Sequence, residues 1–184
     1  MEKTQPEWEL RLCQLLAQKY EELYNDWSRS QKGFANGWSI SPWTFEFKKA
    51  LNEIAGDTFE CRSSIEPSGE FLWDVSWFKN NEVMPEMVCE IEWGADADIL
   101  YDFKKLLATN SSFAVMIFGS DKKAATKLDF EGKIDSILKH VSLPEARRFI
   151  FIYASATGAV DKGEPRIHAQ SRVGNEIVFE ESFK

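Results

Sequence analysis

Histidine and cysteine are scarce: only His140 and His168, and Cys13, Cys61 and Cys89, occur among 184 residues. The cysteines are odd in number, far apart and without a C-x-x-C pair, so neither a disulfide framework nor a structural zinc site is expected. No run of about 18 uncharged apolar residues occurs, which argues against a membrane-spanning helix. The opening "MEKTQPEWEL" lacks the basic flank and apolar stretch of a signal peptide, so the expectation is a cytoplasmic protein. Positive charge is also in deficit, with a formal net charge of −8 and a pI near 4.9. Indiscriminate binding to phosphate backbones depends on Lys and Arg releasing counterions, so any nucleic-acid contact must be local or assisted by a protein partner that supplies affinity. The basic residues gather in "FKKALNE", "DFKKLL", "SDKKAATK" and "EARRF", which read as solvated helix faces. Ser155 in "YASATG" lacks a G-x-S-x-G setting, and "SATGAVDKGEP" lacks the Walker pattern.

What is abundant is apolar and aromatic surface, 43% and 14% of residues, enough for one domain with a real core over 1–184. Trp8, Leu12, Leu15, Leu16, Leu23 and Trp27 lie near helical spacing and predict an amphipathic helix, with a connector reaching residue 40. Ser41 and Pro42 read as the N-cap and first turn of a second helix, with Trp43, Phe47, Ala50, Leu51 and Ile54 on one stripe and a stop at Gly56. Glu46 and Glu53 lie two turns apart on the flank of that stripe. Three strands are expected over 58–65, 70–78 and 87–93 as an antiparallel meander. "DADILYDFKKLLAT" predicts a helix with Ile99, Phe103, Leu106 and Leu107 inward, and the buried strand "SFAVMIFG" completes a βαβ unit. A helix over 122–141 leads to "RFIFIYAS", a run typical of a strand covered on both faces. "PRIHAQ" and "EIVFEE" around "RVGN" predict a terminal hairpin within 156–184. The fold class is therefore α/β, a central mixed sheet flanked by helices.

The chemistry-bearing stretches are "FLWDVSWF" and "MVCEIEWG". Side chains alternate along a strand, so Phe71, Trp73, Val75 and Trp77 should share one face and Leu72, Asp74, Ser76 and Phe78 the other. Likewise Met87, Cys89, Ile91 and Trp93 oppose Val88, Glu90 and Glu92. A hairpin centred on Glu82 sets Asp74 opposite Glu90 and Leu72 opposite Glu92, so three acids converge. Like charges facing one another destabilise a sheet, and a divalent cation with a preference for oxygen ligands, such as magnesium, removes the conflict. A glycosidase pair is disfavoured: Glu90 and Glu92 would be about 6.6 Å apart, but on one strand, and cannot flank a bond from opposite sides.

These features resemble the PD-(D/E)xK nuclease superfamily over residues 42–155: the Asp74 strand, the "EIE" strand, the helix carrying "DFKKLL" and the buried strand after it. The resemblance implies a restriction-endonuclease-like αβββαβ core and a metal-dependent phosphodiesterase acting on nucleic acid, with DNA favoured over RNA. It places Asp74 and Glu90 as ligands of Mg2+ or Mn2+, with Glu46 or Glu53 as a further ligand from the preceding helix. Trp73 stands where the motif proline would be, and Glu92 occupies the lysine position. The lysine then comes from the following helix. With Phe103 as the centre of the buried stripe, Lys104 lies about 100° round and Lys105 about 200°; the first angle favours Lys104 and the "KLL" pattern favours Lys105. The alternative is a chain that keeps this fold without activity and serves as a protein-interaction partner, its seven tryptophans contributing an interface.

Overall fold

The apolar stripes form the helices expected of them. In the computed structural model, which describes residues 7–29, 42–63, 72–120, 126–155 and 167–183, α1 spans Glu7–Arg29 and α2 spans Pro42–Ala55. Leu12, Leu16, Phe47, Ala50 and Leu51 are buried along these helices. Gly56 follows α2 at φ 51°, the left-handed conformation that ends helices and suits glycine. The proposed cap Ser41 and the side chains of Leu23, Trp27 and Trp43 lie outside the described residues.

Strands β1 (Glu60–Ser63), β2 (Val75–Phe78) and β3 (Met87–Glu92) form the antiparallel meander. Helix α3 (Asp96–Leu107) connects β3 to β4 (Phe113–Ser120), which runs parallel to it. Helix α4 (Lys127–Leu138) leads to β5 (Arg148–Ser155), parallel to β4. The hairpin β6 (Ile167–Val173) and β7 (Glu176–Phe183) adds antiparallel to β5. The result is one seven-stranded mixed sheet in the order β1 to β7, an α/β fold. No helix among the described residues is long and apolar enough to cross a membrane.

Two cores sandwich the sheet. Under α1 and α2 lie Val75, Trp77, Met87, Cys89, Ile91, Val115, Ile117, Ile150 and Ile152. Under α3 and α4 lie Val88, Ala114, Met116, Phe118, Phe149, Phe151 and Tyr153. Strands β4 and β5 are covered on both sides, which is why their sequences read as continuous apolar runs.

Three expectations need correction. First, β2 is shorter than the predicted 70–78. Leu72 adopts a left-handed φ of 66°, which breaks the strand alternation, and Trp73 packs into the core under α3 instead of joining Val75 and Trp77. Second, α4 begins at Lys127, where the Thr126 side chain accepts from Asp129 N and caps it; 121–125 lie outside the described residues. Third, the arginines of "EARRF" are not on a solvated face. Arg147 is buried and donates to Leu106 O (2.6 Å), Thr109 O (3.0 Å) and Ser111 Oγ (2.7 Å), closing the carbonyl end of α3. Arg148 meets Glu9 of α1 at 2.9 Å, and both side chains are buried. Burial pushes the Glu9 carboxyl up to about 6, with the Arg148 charge pulling against it.

Candidate active site

The β2–β3 ladder pairs Trp77 with Met87, Ser76 with Val88 and Val75 with Cys89. Extended by one residue, this register sets Asp74 opposite Glu90, but Asp74 itself stands just before β2. Its carboxylate continues the ladder in place of a backbone carbonyl: Oδ2 accepts from Ile91 N at 2.8 Å. Oδ1 meets Nζ of Lys48 at 2.9 Å. Lys48 follows Phe47 on α2 and is 1% exposed, so this ammonium reaches Asp74 from inside the protein.

Glu90 follows the alternation of β3. Met87, Cys89 and Ile91 pack under α2, Val88 under α3. Glu90, 2% exposed, meets Nζ of Lys105 from α3 at 2.6 Å. The same ammonium lies 3.2 Å from Asp102, one turn earlier on the helix. Burial pushes the Glu90 carboxyl up to about 8; Lys105 pulls it down in part and the Asp74 charge pushes it further up. Burial works against charge on Lys105, but Glu90 and then Asp102 outweigh it and hold the ammonium above its ordinary range. Glu92 accepts from Gly94 N at the end of β3. Its carboxyl is raised, first by burial and, against the Gly94 hydrogen bond, by the neighbouring Asp102.

The other sequence candidates lie elsewhere. Lys104 is exposed. Phe103 alone is a poor centre for the α3 stripe: with Ile99 and Leu106 also buried, the two lysines lie about 130° from it on opposite sides. Only the placement of β3 on the Asp102 side selects Lys105. Glu46 pairs with Lys49 at 2.8 Å, and both Glu46 and Glu53 lie near Lys19 of α1 rather than at Asp74. It is Lys48 of α2, not either glutamate, that reaches the first acid. Lys48 and Asp102 are the residues sequence reasoning missed. Their only local signals were the "FKK" pair after a core phenylalanine and the three-residue spacing from Asp102 to Lys105.

The site can supply carboxylate ligands for a hard cation, within a limit. Among the described residues no three histidine, cysteine, aspartate or glutamate side chains converge as a metal-holding group. Two acids, Asp74 and Glu90, interact closely enough for the charge of one to raise the proton affinity of the other. Magnesium is commonly held by one or two carboxylates, with waters and substrate phosphate completing its shell; here Asp74 already meets Lys48 and Ile91 N, and Glu90 meets Lys105, so an ion would have to displace at least one of these partners. A cleft of about 220 Å³ between α3 and α4, lined by Asp96, Ile99, Leu100, Lys133, Ile137 and His140, includes none of these groups. No protein-family model matches the chain, and neither a curated protein nor a solved structure matches it significantly.

Proposed function

We propose that this chain is a metal-dependent phosphodiesterase that cleaves nucleic acid, with DNA favoured over RNA, and that α2–β1–β2–β3–α3–β4 is a restriction-endonuclease-like core of the PD-(D/E)xK type. One observation carries the reading: Lys105, delivered from α3, stands on buried Glu90, and Glu90 is the next residue of β3 after the Val75–Cys89 pair, with Asp74 just before β2. Two acids and a lysine are the combination that such hydrolysis needs, and on this reading the helix supplies the lysine because Glu92 occupies its position on the strand.

Asp74 and Glu90 would hold Mg2+ or Mn2+, which when bound polarises a phosphate oxygen and lowers the proton affinity of water. The hydrogen bond from Ile91 N fixes the orientation of Asp74. Lys105 is about one third exposed, so its ammonium can meet a substrate phosphate while remaining near Glu90, supplying positive charge where negative charge accumulates. Asp102 holds that ammonium in place one helical turn away. The chain would act in the cytoplasm, and its net charge of −8 makes a partner that brings the substrate a natural companion.

The test is cleavage of single-stranded, duplex and branched DNA and of RNA at low salt with manganese. Wild type should cut at least one of these; Asp74→Asn, Glu90→Gln and Lys105→Met should not. Equal cutting by the variants would refute the site. A second reading has its own support: Asp74 has Lys48 and Glu90 has Lys105, so charge balance at the acids needs no metal. On that reading the chain is an inactive member of the fold serving as an interaction partner, and manganese would leave the wild-type melting temperature unchanged.

A further inference from the structure

We infer that the outer edge of β7 is a docking site for an extended segment of a protein partner, in which a basic residue stands between two apolar residues at alternate positions. β7 closes the sheet at the end opposite β1, and among the described residues no strand pairs with its outer side. β7 has eight residues and β1 has four, so β7 is the edge with length for a further strand. Its register on β6 is regular from Phe179 to Phe183; the irregularity lies earlier, where Ser171 pairs with Phe179 and Arg172 with Ile177, leaving Val178 over. In an antiparallel ladder alternate residues turn their N–H and C=O away from the strand they pair with, so the regular run presents backbone donors and acceptors outward.

The side chains define the strand that fits. Toward α1, Phe179 and Phe183 are half-buried against the core, and between them Glu181 is exposed, near Cys13 and without an ion pair among the described residues. Toward α4, Glu180 already meets Lys127 at 3.0 Å and accepts from Gln170 at 2.9 Å, while the Ser182 hydroxyl meets His168 Nδ1 at 2.8 Å. The charge left to complement is therefore that of Glu181. Residues directly opposite on antiparallel strands point to the same face. The matching segment then sets apolar side chains against Phe179 and Phe183, Lys or Arg against Glu181, and small polar residues against Glu180 and Ser182. A second copy of the chain does not fit: full antiparallel overlap of this run with itself sets Glu181 opposite Glu181, in a molecule of net charge −8. β7 stands four strands from β3, so this surface is separate from the proposed active site.

The experiment titrates the full-length chain with labelled peptides, read by fluorescence anisotropy, and locates them by amide hydrogen exchange. The peptides are Thr-Val-Thr-Lys-Thr-Val-Thr, the same peptide with Glu in place of Lys, and the Lys peptide N-methylated along its backbone, which keeps the charge and removes the donors. Wild type should bind the Lys peptide about fivefold more tightly than the Glu peptide, the ratio expected of one opposite-charge against one like-charge cross-strand pair. It should not bind the N-methylated peptide, and β7 amides should exchange more slowly when the Lys peptide is bound. Glu181→Lys should reverse the preference between the two charged peptides; the wild-type measurements decide the matter if that variant does not fold. No binding of the Lys peptide, equal affinity for Lys and Glu peptides, binding of the N-methylated peptide, or protection confined to other strands overturns the inference. So does a dimer of the unliganded protein with its β7 amides protected, because a second copy would then fill the edge.

Discussion

Asp74→Ala tests whether the Lys48 contact is structural as well as chemical. Asp74 fills no apolar cavity, so from sequence its removal should leave the fold intact. The structure alters that expectation, because alanine would remove the Asp74 carboxylate from the buried Lys48 ammonium and the carboxylate acceptor from Ile91 N. At 2.9 Å and an effective dielectric constant near 20, the gross attraction between the charges is about 6 kcal/mol. Removing one member of a fully buried pair typically costs about 3–5 kcal/mol. Asp74 is 22% exposed, so water can replace part of what is lost, and we expect about 2–4 kcal/mol. For a chain of this length that lowers the melting temperature by roughly 4–16 °C. Urea unfolding of wild type, Asp74→Ala, Lys48→Met and the double variant measures the coupling. The double variant should be more stable than Asp74→Ala by at least about 1 kcal/mol, because the buried ammonium that lost the Asp74 carboxylate is removed with it. If Asp74→Ala costs under about 1 kcal/mol, or the two substitutions simply add, Lys48 does not depend on Asp74.

Glu90 predicts a pH effect. Its folded-state proton affinity is raised from the usual 4.5 to about 8, so between these values the folded chain holds a proton that the unfolded chain has released. That contribution is complete below about pH 4.5 and lost as pH rises toward 8, with a slope of at most about 1.4 kcal/mol per pH unit. Glu90→Gln should flatten the stability profile over pH 6–8 relative to wild type, a window above most of the Glu9 titration; parallel profiles would disprove the assigned burial effect. Arg147→Met should cost about 2–3 kcal/mol by removing the guanidinium donor from the Thr109 carbonyl, the Ser111 hydroxyl and the Leu106 carbonyl, the last keeping only backbone N–H donors from Ala108 and Thr109. Urea titration checks this, and a change within 0.5 kcal/mol would show that water replaces the guanidinium.

The elements that bury a continuous face are legible in the amino-acid order alone. Phe47, Ala50 and Leu51 on α2, Ile99, Phe103 and Leu106 on α3, and the runs of β4 and β5 carry their periodicity locally, so their type and order could be read directly. The register of β2 on β3 was also legible, because the hairpin centre leaves few alternatives, and it pairs Trp77 with Met87 and Val75 with Cys89; Asp74, one residue further, stands outside the strand, where Leu72 has already broken the alternation. Tertiary structure decided which charges meet. In each of "FKKALNE" and "DFKKLL" one lysine turns to the site and its neighbour to solvent: Lys48 and Lys105 pair with the acids, while Lys49 and Lys104 are exposed. Adjacent residues on a helix differ by about 100°, and the side on which a strand lies is not written in the helix. The same holds for Arg147 and Arg148, which resemble a surface pair until the α3 carbonyls and Glu9 arrive from distant parts of the chain. A hydrophobic face reveals itself by repetition; a buried ion pair involves two residues far apart in sequence and leaves no period to read.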